Sequence, residues 1–252
     1  MPSYLGQNFL EDIKYKKIIL EIIEKSKKEF AWENLIEIGP GKGSISKYLV
    51  DKYENITFFE KDENFYNIIK NFKKEKQKII IGDVLQSNLN NFNKNKTFIF
   101  GNIPYYITSP IFKKFFVENN FIGGLILIQK EVGKKIKSDA NKKSFLRWLL
   151  NYGYEIKYIE TVPAKAFNPI PKVDSCLVYL SKLSNKKNIN LEEVINFLDI
   201  VNRYKRKTLG KISNIINKKG IYKYNIQGEI SKKRIEELNW DDIKYIIDYN
   251  KE

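Results

Sequence analysis

Asn34-Leu35-Ile36-Glu37-Ile38-Gly39-Pro40-Gly41-Lys42-Gly43-Ser44 is a short apolar run that ends in a glycine-rich turn, and a helical pattern, Ser44–Tyr53, follows at once. Glycines let a backbone turn tightly and come close to a ligand at a helix N-terminus. Two familiar nucleotide motifs do not fit. The dinucleotide spacing needs two residues between its last glycines, whereas a single residue separates Gly41 from Gly43. A P-loop needs Ser or Thr after Gly-Lys, whereas Gly43 follows Lys42. Alone, the loop is a turn that many strand–helix junctions share. Its meaning comes from its surroundings.

Outward from this loop the chain alternates. Asn34–Gly39, Ile56–Lys61, Lys78–Asp83, Thr97–Asn102, Gly124–Gln129, Glu155–Val162 and Ser175–Leu180 read as strands, short apolar runs closed by glycine, charge or proline. Ser44–Tyr53, Glu63–Phe72, Pro110–Glu118 and Ser144–Tyr152 have helical patterns. Near-continuous apolar strands alternating with helices predict an α/β fold, a largely parallel seven-stranded sheet covered on both faces. Only the loop Pro163 to Asp174 separates the last two strands, so they are expected to pair as an antiparallel hairpin. The polar stretch Ser184-Asn185-Lys186-Lys187-Asn188 reads as a linker. Beyond it Leu191–Ile200, Lys205–Ile216, Ser231–Asn239 and Asp241–Tyr249 read as short helices, with Ser231 and Asn239 as N-caps. The expected domains are a catalytic unit over 1–183 and a small helical unit over 184–252.

Composition narrows the chemistry. The chain of 252 residues contains no histidine, which removes the best acid–base side chain near neutral pH, serine–histidine triads and histidine-bound zinc. Its one cysteine, Cys176, excludes an intrachain disulfide and any multi-cysteine metal site. No metal is expected. No apolar run approaches the length of about 18 residues that a membrane span needs, and Met1-Pro2-Ser3-Tyr4 does not open a signal peptide. A soluble cytoplasmic protein is predicted, acting as a monomer. The net charge of +15 suggests a polyanionic partner, although a Lys- and Asn-rich chain can owe its charge to base composition. Arginine is the cleaner probe: of four, Arg147, Arg203, Arg206 and Arg234, two fall in Asn202-Arg203-Tyr204-Lys205-Arg206-Lys207-Thr208. Arg203, Lys205, Arg206 and Lys207 are therefore expected to hold the phosphates of a polyanionic partner.

The strand ends carry the site. The second strand closes on Glu60, a carboxylate able to accept from both hydroxyls of a ribose, and the third on Gly82-Asp83, an acceptor for an adenine amine. Each alone reads as a solvated strand end. In order after the glycine loop they favour an adenosine-containing cofactor. The fourth strand runs into Phe100-Gly101-Asn102-Ile103-Pro104-Tyr105-Tyr106. An adenine amine is a poor nucleophile because its lone pair is conjugated into the ring. The Asn102 side-chain oxygen and the Ile103 carbonyl can accept its two N–H bonds and aim the lone pair at an electrophilic methyl. Pro104 stiffens the turn, and Tyr105 offers a stacking face. None of this needs histidine.

With these segments in hand, the chain resembles the KsgA family of rRNA adenine N6,N6-dimethyltransferases, related to the Erm enzymes. The resemblance rests on Gly6-Gln7-Asn8-Phe9-Leu10, Glu37–Gly43, Glu60, Gly82-Asp83, Gly101–Tyr105, Gln129-Lys130-Glu131-Val132 and Pro163–Ser175. It implies a class I, Rossmann-like methyltransferase fold using S-adenosylmethionine. It implies cofactor contacts from Asn8, Leu10, Gly39, Gly41, Glu60, Asp83 and Asn102. Asn102, Ile103, Pro104 and Tyr105 would present the target amine, and Phe167 would supply a second aromatic face opposite Tyr105. The loop Pro163 to Ser175 and the basic run Arg203–Thr208 are similar to the KsgA branch rather than the Erm branch. The implied substrate is a pair of adjacent adenosines in a hairpin loop near the 3′ end of small-subunit rRNA, in a 30S precursor. The chain departs from the family's pattern in a short lead-in before Gly6, in Lys142-Lys143-Ser144-Phe145-Leu146, and in a short C-terminal unit. The rival readings are an Erm-type enzyme acting on large-subunit rRNA, a non-catalytic ribosome-assembly or RNA-binding factor on the same fold, and, more distantly, a nicotinamide-dependent oxidoreductase.

Overall fold

The computed structural model describes residues 7–137, 144–184, 189–219 and 225–250. Met1–Tyr4, Gly6, Lys142-Lys143 and the stretch 185–188 of the expected linker lie outside the described residues. In chain order the elements are β1 (Phe9–Leu10), α1 (Ile13–Phe30), β2 (Asn34–Ile38), α2 (Ser46–Leu49), β3 (Ile56–Glu60), α3 (Tyr66–Phe72), β4 (Lys78–Ile81), β5 (Thr97–Asn102), α4 (Thr108–Phe112) and β6 (Gly123–Gln129). They continue as α5 (Lys130–Ile136), α6 (Phe145–Asn151), β7 (Tyr154–Val162), β8 (Phe167–Asn168), β9 (Ser175–Lys182), α7 (Leu191–Asn202), α8 (Leu209–Lys218), α9 (Gly228–Lys232) and α10 (Trp240–Tyr249).

The main sheet has seven strands in the order β4-β3-β2-β5-β6-β9-β7. Every neighbouring pair from β4 to β6 is parallel, and β9 runs antiparallel to both β6 and β7. The expected β7–β9 pairing is present, and β9 slots between β7 and β6 rather than extending the edge. The apolar strands supply two cores by simple alternation. Leu35, Phe98, Phe100, Leu125 and Leu127 pack on one face with Tyr15, Ile19 and Ile23 of α1, while Ile36, Ile38, Ile99, Ile126 and Ile128 pack on the other. The chain leaves β2 toward β3 and β4, then crosses back to β5. The carboxyl ends of β2 and β5 therefore flank the point where strand order reverses, which is where open α/β sheets bind ligands.

The C-terminal helices share the second core. Trp148 of α6 donates from Nε1 to the Ile235 carbonyl at 3.3 Å and meets Trp240 edge-on, with ring centroids 5.1 Å apart. Two details differ from expectation. Ser231 is not an N-cap: it lies inside α9 and donates to the Gly228 carbonyl, and the chain is extended at Lys233 before a single 3-10 turn, Ile235–Glu237. The helix expected from Lys205 begins at Leu209, because Tyr204 to Lys207 close a turn through the Lys207 N–H to the Tyr204 carbonyl, 2.7 Å. Asn239 does cap α10: its Oδ1 accepts from Asp242 N at 2.7 Å, and Asp242 Oδ2 accepts from Asn239 N at 2.9 Å. Among the described residues no helix is long and apolar enough to cross a membrane.

Candidate active site

A cleft of about 850 Å³, open to solvent at its mouth, lies over the carboxyl ends of β2, β3 and β5 and the Gly82-Asp83 turn after β4. Each strand delivers one functional group to it. At the end of β2 the backbone takes positive φ at Gly39 and Gly41, 70° and 53°, which an L-residue adopts at a cost. At Gly41 a Cβ would also stand 2.6 Å from the Phe9 ring, so this position has neither the backbone freedom nor the room for a side chain. The bare backbone forms the floor on which a ligand can lie.

Glu60, at the end of β3, is 4% exposed. Its Oε2 accepts from Gly41 N at 3.0 Å and its Oε1 from Asp62 N at 2.9 Å. Burial raises its pKa, against the backbone amides of Asp62, Gly41 and Lys61, which favour the charged form. Each carboxylate oxygen has a second lone pair, so a ribose diol can still bond there. Asp83 accepts from Leu85 N at 2.9 Å and pairs with Lys61 Nζ at 3.0 Å. Burial pushes its carboxyl up, but the Leu85 amide and the Lys61 ammonium outweigh it and hold the group below the usual carboxylate range. Asp83 is thus an ionised acceptor at neutral pH.

Asn102 ends β5 on the rim of the same cleft, partly exposed. Its Nδ2 donates to the Asn8 carbonyl at 3.0 Å. One N–H of the amide is thereby committed to the protein, which fixes the side chain's orientation and leaves Oδ1 as an acceptor for a ligand. Ile103, Pro104 and Tyr105 follow along the wall, and Phe167 lines the cleft as well. Phe167 arrives there through a short ladder missing from the strand pattern. β1 pairs antiparallel with β8, Phe9 opposite Asn168 and Leu10 opposite Phe167, and Glu11 N and Asp12 N both donate to the Ala166 carbonyl.

Of the predicted residues, Asn8, Gly39, Gly41, Glu60 and Asp83 line the cleft together with Asn102, Ile103, Pro104, Tyr105 and Phe167. Leu10 does not: its side chain is 1% exposed in the core, and its carbonyl takes the Ser44 hydroxyl. Arg203, Lys205, Arg206 and Lys207 are exposed in the turn between α7 and α8, outside the cleft lining. Sequence reasoning overlooked Gln7, Phe9 and Lys61 as wall residues. The signal for Phe9 was available in Gly41, since a glycine that must stay bare implies something pressed against it.

The donor set fits S-adenosylmethionine: a bare glycine floor, a carboxylate for ribose hydroxyls, an ionised acceptor for an adenine amine, and an apolar wall from Ile38, Phe59 and Val84. A family model described as ribosomal RNA adenine dimethylase matches residues 2–251. The chain belongs to the ribosomal RNA adenine dimethylase family. As a member it is an S-adenosylmethionine-dependent rRNA adenine dimethyltransferase. It is similar to the ribosomal RNA small subunit methyltransferase A of Mycoplasmopsis pulmonis, 36% identical over 226 residues, covering 87% of this chain and 86% of that one. It is 34% identical over 253 residues to the protein of the same description from Mycoplasma mycoides, with 95% and 94% covered. Two solved structures share the fold of this dimethylase. A dimethyladenosine transferase from Plasmodium falciparum matches with a TM-score of 0.72 at 21% identity, covering 96% and 98% of the two chains. The 23S rRNA methyltransferase ErmE matches with a TM-score of 0.67 at 19% identity, covering 97% and 100%.

Proposed function

We propose that this dimethylase acts on small-subunit rRNA, methylating the N6 amines of two adjacent adenosines in a hairpin loop near its 3′ end, with a part in small-subunit assembly. The relatives described as small-subunit methyltransferases support this substrate over the large-subunit one, since they are more than 30% identical over most of both chains, whereas ErmE shares the fold at 19%. An unpaired loop adenine costs at most a few kcal/mol to unstack, which suits a cleft that must receive the whole base. The cofactor supplies an electrophilic methyl group.

The protein's own contribution is orientation and placed acceptors. Glu60 holds ribose hydroxyls, Asp83 holds the cofactor's adenine amine, and Gly39, Gly41 and Asn8 shape the wall between them. Tyr105 and Phe167 sandwich the target base. Asn102 Oδ1 and the Ile103 carbonyl accept the two N–H bonds of N6, which turns the nitrogen lone pair toward the methyl. The proton shed after transfer leaves to solvent, so no protein base is required. The anchored amide carries this reading: Asn102 can hold one orientation because Asn8 holds its other half. The C-terminal unit over 184–252 is proposed to hold the RNA backbone through Arg203, Lys205, Arg206 and Lys207.

Asn102→Ala should lower kcat by about 10²- to 10³-fold while RNA affinity stays within about two-fold. Full turnover in that variant would refute the role. Incubation with isolated small and large subunits and labelled cofactor separates the two substrates; label in the large subunit alone would overturn the small-subunit assignment.

A further inference from the structure

A phenylalanine at position 105 would offer a base the same ring face as tyrosine, so the hydroxyl needs its own reason. Tyr105 Oη lies 2.7 Å from Ser175 Oγ, across 70 positions of chain. Ser175 is 1% exposed and opens β9, with its backbone paired to Gln129 of β6 on one side and Val162 of β7 on the other. A hydroxyl mounted between two strands is a rigid anchor. At the other end of the residue, Thr108 Oγ1 donates to the Tyr105 carbonyl at 3.0 Å and fixes the turn. Burial keeps the phenol neutral well above neutral pH, so the contact to Ser175 is an uncharged hydrogen bond there. Main chain and ring tip are both tied, and the ring faces are left for a ligand.

We infer that Ser175 is a positioning residue for methyl transfer, fixing the plane of the Tyr105 ring so that a stacked adenine meets Asn102 and Ile103 at the reactive angle. The inference rests on the proposed stacking role of Tyr105. Its size follows from geometry. A stacked base follows the tilt of the ring beneath it, and a tilt of about 15° moves an atom about 5 Å from the pivot by roughly 1 Å, a displacement that can cost on the order of a hundred-fold in rate.

The test uses the full chain with small-subunit particles, comparing Tyr105→Phe, Ser175→Ala, the double variant and Tyr105→Ala, with cofactor affinity measured by calorimetry. Tyr105→Phe and Ser175→Ala should each lower kcat by about 10- to 100-fold, with KM for RNA and cofactor affinity within about two-fold. The double variant should be no worse than either single one, because both remove the same bond. Wild-type kcat in Tyr105→Phe overturns the inference, as do losses that multiply in the double variant. Should Ser175→Ala fail to fold, Tyr105→Phe decides alone, since it leaves the strand intact. Activity retained in Tyr105→Ala would sink the stacking role itself. An inactive Tyr105→Ala beside fully active Tyr105→Phe and Ser175→Ala would spare stacking and remove positioning.

Discussion

Glu37 carries a carboxyl group that is 3% exposed, one residue before the end of β2. Oε1 accepts from the Ser46 hydroxyl at 2.8 Å, and Oε2 has no hydrogen-bond partner among the described residues. Burial pushes its pKa up to about 8, the Ser46 bond opposes this, and the charge of Glu60 adds to it. Between its ordinary 4.5 and about 8 the folded protein therefore holds a proton that the unfolded chain has released. Stability should fall as pH rises through that window and level off above it. Glu37→Gln, neutral throughout, should flatten the slope and raise Tm at pH 8 by about 2–4 °C, the equivalent of roughly 1 kcal/mol. Matching Tm-against-pH curves for the two proteins would show that Glu37 is not the source. The sequence could place Glu37 in the loop motif but not in the core. In a strand covered on both faces no position is marked as outward, so a buried carboxyl and a solvated one look alike.

At the scale of elements, the strap Gln7–Leu10 organises the site. Gln7 donates to Asp62, Asn8 accepts from Asn102, and Phe9 meets Phe65 edge-on with centroids 5.8 Å apart. The Lys42 ammonium sits over the Phe9 ring, 4.8 Å from its centroid. Phe9→Ala removes the ring that backs Gly41, and cofactor dissociation constants from calorimetry should rise by about 10-fold, roughly 1.4 kcal/mol, with the fold retained. An unchanged constant would mean that the strap does not shape that wall. Asp174 ties the other side: its Oδ1 accepts from Ala164 N at 3.1 Å and its Oδ2 pairs with Lys130 Nζ at 3.0 Å. The Lys130 bond, then the Ala164 amide, hold its carboxyl below the usual range, so the loop carrying Phe167 is firmest at neutral pH and loosens as pH falls through that lowered value. Neither β1 nor β8 could be read from the pattern, because two residues show no periodicity. Asn8 and Phe167 were legible only through the family resemblance. α1 is hard to read for a different reason: its buried positions Tyr15, Ile19, Ile23 and Ser26 are interleaved with exposed lysines and begin ahead of the strand–helix alternation.

Across the whole molecule, the order of strand ends was legible because apolar runs broken by glycine, charge or proline have little freedom in an α/β sheet. The boundaries at Thr97–Asn102 and Ser175 match the expected ones to the residue. The C-terminal helices were less legible, since Tyr204 to Lys207 close a turn whose composition would also suit a helix. Replacing Arg203, Lys205, Arg206 and Lys207 by Gln should weaken binding to all rRNA sequences alike. It should also flatten the slope of log K against log salt by about 3, if each cation neutralises one phosphate. Filter binding over a salt series measures it, and an unchanged slope would move the RNA grip elsewhere on the surface.

The β1–β8 ladder joins residues far apart in the chain, Phe9 and Leu10 with Phe167 and Asn168. A chain emerging from the ribosome therefore carries an N-terminal strap that lacks its ladder partner until Asn168 has been made, on the order of ten seconds later at ordinary elongation rates. Before that moment the glycine floor and Glu60 can form, but the side of the cleft that Phe167 lines cannot close. Capacity to retain the methyl donor should appear late in synthesis and abruptly, so nascent chains stalled before Phe167 should release it freely while those stalled beyond β9 should not.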